Sequence, residues 1–145
     1  MTIEIKLLGP GDIALLLRAD TDVFDNPIDP ALAKAYLEHP DYLIVLALEG
    51  DAVVGMASGL YYFHPDKPRE FFVNEVGVAD RAQRRGIGKA VTRALLEAAR
   101  VRGADYAWVG TENDNLPAKA LYEAIGGRGQ GMAYYEFDLT RLERP

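Results

Sequence analysis

Residues 83–89 read Gln-Arg-Arg-Gly-Ile-Gly-Lys, set between the apolar stretch Phe71–Val78 and an amphipathic run that starts near Gly88. A strand that feeds a glycine turn opening a helix aims several unpaired N–H groups, and the positive end of the helix dipole, at one point. A phosphate group fits such a point. Two better-known glycine loops fail on residue identity. A Walker A loop needs Gly at 83 and Ser or Thr at 90, where this chain has Gln83 and Ala90. A dinucleotide fingerprint starting at Gly86 and Gly88 needs its third glycine at Val91.

Outward from this loop the apolar spacing sets the elements. Val91, Ala94, Leu95 and Ala98 give a helical stripe that ends at Gly103. Upstream, Tyr42–Leu48 and Ala52–Phe63 are apolar runs joined by Glu49-Gly50-Asp51, a hairpin signal. Ile3–Leu8 reads as a first strand, Asp12 as the cap of a short helix, and Pro30 as the first turn of a helix through His39. Downstream come a strand over Asp105–Gly110, a helix over Pro117–Ile125 and a closing strand over Tyr134–Leu139.

With 145 residues, 49% hydrophobic and 26% charged, the chain fits one soluble globular domain over 1–145. No stretch reaches the ~18 apolar residues of a membrane span, and the N-terminus does not read as a secretory signal. A cytoplasmic location without membrane contact is the expectation. The absence of cysteine removes disulfides, thiolate nucleophiles and Cys-based zinc sites, so no metal is expected. Ser58 is the only serine and lies inside a strand, which disfavours a serine hydrolase. The net charge of −6 disfavours nucleic acid and favours a cationic partner. Arg81, Arg84, Arg85 and Lys89 form a basic exception at the glycine loop.

Gln83–Gly88 matches the pattern [Gln/Arg]-x-x-Gly-x-[Gly/Ala], and Asn115-x-x-Ala-x-x-Leu-Tyr follows in the expected order. On these motifs the chain resembles the GCN5-related N-acetyltransferase (GNAT) superfamily. Within it the chain looks most like the bacterial aminoglycoside 3-N-acetyltransferases. That likeness runs through Ala52-Val53-Val54-Gly55, Pro68-Arg69-Glu70, Arg84-Arg85-Gly86-Ile87, Ala120-Leu121-Tyr122 and Glu136-Phe137-Asp138. The resemblance implies a mixed α/β (α+β) acyl-CoA N-acyltransferase fold, a splayed sheet of about six to seven strands with about four helices. It also implies acetyl-CoA as cosubstrate and transfer of acetyl to a primary amine of a small cationic molecule such as an aminoglycoside, with a homodimer as one assembly. A protein N-terminus or lysine is the alternative acceptor, and a noncatalytic acyl-CoA-binding regulatory module the alternative of another class.

Residue by residue, the resemblance places the cofactor diphosphate on Gln83, Arg84, Arg85, Gly86, Ile87, Gly88 and Lys89, where glycines 86 and 88 permit close approach. An ordinary solvated turn is the bland alternative. The pantetheine arm falls along the backbone of Val76, Gly77 and Val78, otherwise simply a buried strand. Glu75, expected by alternation to share a face with Phe71, Val73 and Gly77, is the candidate base, or else a structural ion pair. Tyr122 is the candidate acid toward the departing thiolate, or else a core tyrosine in the stripe Ala118, Leu121, Tyr122 and Ile125. Asn115 contacts the cofactor or caps the last helix, and Lys119 lies near phosphate or in solvent. Acidic candidates for the acceptor are Asp25, Asp29, Asp66, Glu70, Glu112, Asp114 and Glu136.

Overall fold

Gly50, at φ 61°, turns the chain between β2 (Tyr42–Glu49) and β3 (Ala52–Tyr62) in a computed structural model that describes residues 2–145. β1 (Ile3–Leu7) pairs with β2 and β4 (Glu70–Val78) with β3, all antiparallel. β5 (Ala107–Val109) then joins β4 in parallel, giving a mixed sheet in the order β1-β2-β3-β4-β5. The closing strand expected over Tyr134–Leu139 does not form among the described residues: the segment has no ladder partner and lies exposed. Alternation cannot supply the neighbour that a strand needs.

Four α-helices flank the sheet: α1 (Ile13–Leu16), α2 (Pro30–Glu38), α3 (Ile87–Val101) and α4 (Leu116–Ala124). Asp29 caps α2 by accepting the N–H groups of Ala31 and Leu32 at 2.8 and 3.0 Å. Asp12 does not cap α1 as expected. Its carboxylate reaches back to the Gly9 N–H at 2.8 Å, because a 3-10 turn at Pro10–Asp12 precedes the helix. Val91, Leu95 and Ala99 of α3 are buried, the valine and leucine side chains worth roughly 1.5–3 kcal/mol each. Leu43–Leu48 of β2 is buried without interruption, as a central strand covered on both faces requires.

Two departures from regular pairing shape the site. β5 meets β4 only over Phe71–Val73, so the β5-facing edge of Asn74–Val78 has no strand beside it. The sheet is therefore splayed between its fourth and fifth strands. In the other ladder Ser58 pairs with Glu75 and Gly59 with Val73, leaving Asn74 as a bulge. The surplus residue reverses the inside-outside phase of β4. Glu75 consequently shares the face of Phe72 and Glu70, and not that of Phe71 and Val73 as simple alternation predicted; Gly77 stays with it.

Candidate functional site

The glycine loop opens α3 with Arg84 at φ 63° and Gly86 at φ 76°, both left-handed. No side chain caps the helix, and its first closing bond is Ala90 N–H to Gly86 O at 3.0 Å. Among the described residues, the amides from Arg84 to Lys89 donate to no backbone carbonyl. Successive free amides with left-handed residues among them, at a positive helix end, are the geometry that an anion-binding concavity requires.

The basic cluster divides. Arg85 Nη2 reaches Glu49 Oε2 at 2.5 Å, while Arg81 meets Glu49 at 3.2 Å and Asp20 at 3.0 Å. These two arginines brace the loop against β2, whereas Arg84 and Lys89 form no ion pair among the described residues. Arg85 beside it holds the Glu49 carboxyl below the usual carboxylate range, and Arg81 adds to this. Sequence reading missed Glu49, because nothing local distinguishes it from any hairpin acid.

The glycines do different work from one another. Nothing lies within 4 Å of a Cβ placed on Gly86, so its backbone angle is what requires glycine. A Cβ on Gly88 would sit 2.9 Å from Leu121 Cδ1, so the packing of α4 on α3 is one reason for glycine here. At Gly77 the close neighbour is the Val23 carbonyl, which a Cβ would meet at 2.1 Å. These contacts give the two glycines a packing role beside the one expected of a cofactor. Val76, Gly77 and Val78 nonetheless leave their β5-side edge open, as an added extended ligand requires.

Glu75 is solvent-exposed on the side of α2 and forms no ion pair among the described residues. Partial burial, reinforced by the neighbouring charge of Asp25, raises its carboxyl above the usual range. The structural ion pair weighed against a catalytic role is therefore absent. Beneath it the Tyr36 hydroxyl donates to Leu43 O at 2.8 Å, and burial lifts its pKa to about 12. Ser58, 4% exposed, interacts with the same hydroxyl from the facing strand position. Tyr36 and Ser58 thus lie on the side of the sheet to which Glu75 belongs. Neither was legible beforehand, since the bulge that turns Glu75 toward them carries no composition signal.

Tyr122 is half-buried on α4, and burial raises its phenol above the ordinary value. It lines a gap of about 230 Å³ with Val73, Thr92, Leu96, Val109 and Ile125. Asn115 caps α4, its Oδ1 accepting the Ala118 N–H at 3.1 Å, which leaves its NH₂ free. Lys119 Nζ approaches Asn113 at 3.4 Å. Of the other acids, Asp29 is the α2 cap, Asp66 pairs with Lys67, and Glu70 accepts the Tyr62 hydroxyl at 2.5 Å. Glu112, Asp114 and Glu136 are exposed and form no ion pair among the described residues, and the charge of Asp25 acts on Glu75.

The family model described as "Acetyltransferase (GNAT) family" matches residues 13–127. The chain belongs to this family. It is accordingly an acetyl-CoA-dependent N-acetyltransferase with the mixed GNAT fold. It is 37% identical over 116 residues to the N-alpha-acetyltransferase RimI of Mycobacterium tuberculosis, covering 80% of this chain and 71% of that protein. In structure it is similar to aminoglycoside acetyltransferase HMB0005 from an uncultured soil metagenomic sample, with TM-score 0.79, 24% identity and coverage of 95% and 99%. The aminoglycoside acetyltransferase AAC(6')-Iy, solved with a CoA-linked acetylneamine bisubstrate analogue, superposes with TM-score 0.78 at 14% identity, covering 95% and 99%. Among the described residues of this GNAT chain, no helix is long and apolar enough to cross a membrane.

Proposed function

We propose that this enzyme acetylates a primary amine of a small cationic molecule, an aminoglycoside being one such class, by direct attack within a ternary complex. The observation that carries the reading is Glu75: an exposed acid on the stretch of β4 that β5 does not cover, with no ion-pair partner among the described residues and with the charge of Asp25 acting on it. A cationic acceptor supplies the missing charge. The acetyl-CoA diphosphate lies on the amides of Arg84–Lys89, and the pantetheine extends along Val76–Val78. Glu75, directly or through one water, takes a proton from the acceptor ammonium. The free amine attacks the thioester carbonyl carbon, the C–S bond breaks, and Tyr122 protonates the departing thiolate. Proximity of the two substrates supplies much of the acceleration.

The identity to RimI favours a second reading, with a protein N-terminus as the acceptor. A panel of aminoglycosides, polyamines and peptides, read by thiol release from acetyl-CoA, separates the two. Turnover on a polycation supports the first and turnover on peptides alone the second. Acetyl-CoA binding without transfer to any amine would return the protein to a noncatalytic module.

A further inference from the structure

The face of the sheet that bears Glu75 carries a second group of polar and aromatic side chains. Across the β3–β4 ladder Glu75 stands opposite Ser58, Phe72 opposite Leu60 and Glu70 opposite Tyr62, all on one side. β5 continues that side with Trp108, the partner of Phe72, and the two ring centroids lie 4.4 Å apart. Read along β4, an acid is followed by an aromatic pair and then by another acid.

The far end of this line is fixed by hydrogen bonds. Trp108 Nε1–H donates to the Tyr62 hydroxyl at 2.6 Å, that hydroxyl donates to Glu70 Oε2 at 2.5 Å, and His64 Nε2 lies 3.4 Å from the same oxygen. The Tyr62 bond holds the Glu70 carboxyl below the usual carboxylate range, so it is an anion at neutral pH. Its Oε1 takes part in no hydrogen bond among the described residues, and Lys67, whose charge also reaches it, pairs with Asp66 at 3.1 Å. Trp108 stays 38% exposed although its polar edge is satisfied. A ring pinned by its rim and open to solvent loses little further freedom when a ligand covers it.

Such an order is complementary to a molecule with an ammonium at each end and methylenes between. Carboxylates take the ammonium groups, while the ring faces take the apolar run and attract the adjoining positive charge. From Ser58 to Tyr62, the partners of the two acids, the strand advances four residues, or roughly 13 Å. A short diamine cannot span that distance. The net charge of −6 adds long-range attraction for a dication.

Resting on the acceptor reading of Glu75, we propose that the acceptor is a long straight-chain diamine or polyamine, with one ammonium acetylated beside Glu75, the other held by Glu70, and the methylenes laid over Phe72 and Trp108. Glu70 and Trp108 are specificity residues in this arrangement. The transfer itself proceeds as at any primary amine.

The test measures initial rates with saturating acetyl-CoA on straight-chain α,ω-diamines from butane to dodecane, each paired with the amino alcohol of equal length, and on spermidine, spermine and an aminoglycoside. An optimum chain length is expected, where kcat/KM exceeds that of the matching amino alcohol by about tenfold or more, the scale of one charge-assisted contact. Glu70→Gln keeps an acceptor for the Tyr62 hydroxyl and is expected to bring that ratio near one, through KM rather than kcat. Trp108→Ala is expected to lower kcat/KM for the long diamines more than for the butane diamine. Unchanged melting temperatures show that the variants are folded, and the chain-length series on the wild type decides where they are not. Equal rates on diamines and amino alcohols with no length optimum overturn the proposal and leave the acetyltransfer reading standing. A ratio that survives Glu70→Gln overturns it too, as does preference for the aminoglycoside over every linear amine. No transfer to any amine, with acetyl-CoA bound in calorimetry, overturns both readings.

Discussion

Glu49, the last residue of β2, holds Arg85 of the glycine loop at 2.5 Å and Arg81 at 3.2 Å. A residue remote in sequence therefore helps set the shape of the loop proposed to hold the diphosphate. Glu49→Gln is expected to raise KM for acetyl-CoA roughly two- to fivefold with little change in kcat, the scale of a partly screened ion pair. Initial-rate kinetics with acetyl-CoA varied checks this. The Glu49 carboxyl is held below its reference value of 4.5, so its contribution to stability is full above that pH and is lost as pH falls through the lowered value. The melting-temperature difference between wild type and Glu49→Gln should shrink accordingly in acid.

Glu75→Gln is expected to lower turnover about 100-fold, the scale of a lost general base. Asp25→Asn tests the electrostatics separately. Burial first and Asp25 second raise the Glu75 carboxyl, so removing the Asp25 charge lets Glu75 ionise at lower pH. The acid limb of the pH–rate profile should move down. An unmoved limb would place the titrating group elsewhere.

Tyr122→Phe removes a phenolic proton and leaves the ring in its half-buried position. Turnover should fall while calorimetric affinity for acetyl-CoA stays near that of wild type. Full retention of turnover would make Tyr122 a packing residue of the α4 stripe.

Gly77→Ala and Gly88→Ala should behave differently. The Val23 carbonyl at 2.1 Å is backbone and cannot move aside, so the first substitution should be severely destabilising in denaturant titration. The second meets a side-chain terminus, Leu121 Cδ1 at 2.9 Å, and should cost about 1–3 kcal/mol. Leu121→Ala in the same chain should recover much of that loss.

Much of this fold is written locally. The hairpin at Gly50, the start of α2 at Pro30 and the α3 stripe of Val91 and Leu95 each depend on neighbours a few residues away, and each appears where the pattern places it. The glycine loop was legible for the same reason. What escaped depends on distant partners. Gly77 answers to Val23, Gly88 to Leu121 and Arg85 to Glu49, and none of these pairs is adjacent in sequence. The facing of Glu75 escaped because alternation assumes an unbroken ladder, and Asn74 interrupts it. The closing strand expected over Tyr134–Leu139 does not form, because alternation describes one strand's faces and says nothing of the neighbour it must pair with.

Asn74 adds nothing to the ladder, yet its presence sets the direction in which the carboxylate that follows it projects. Draw Asn74 into an unbroken ladder and it would take the place opposite Ser58, while Glu75 turned to the inner face of Phe71 and Val73, toward α3. The outward aim of this acid therefore rests on a break in pairing, a property that no single residue type in β4 announces.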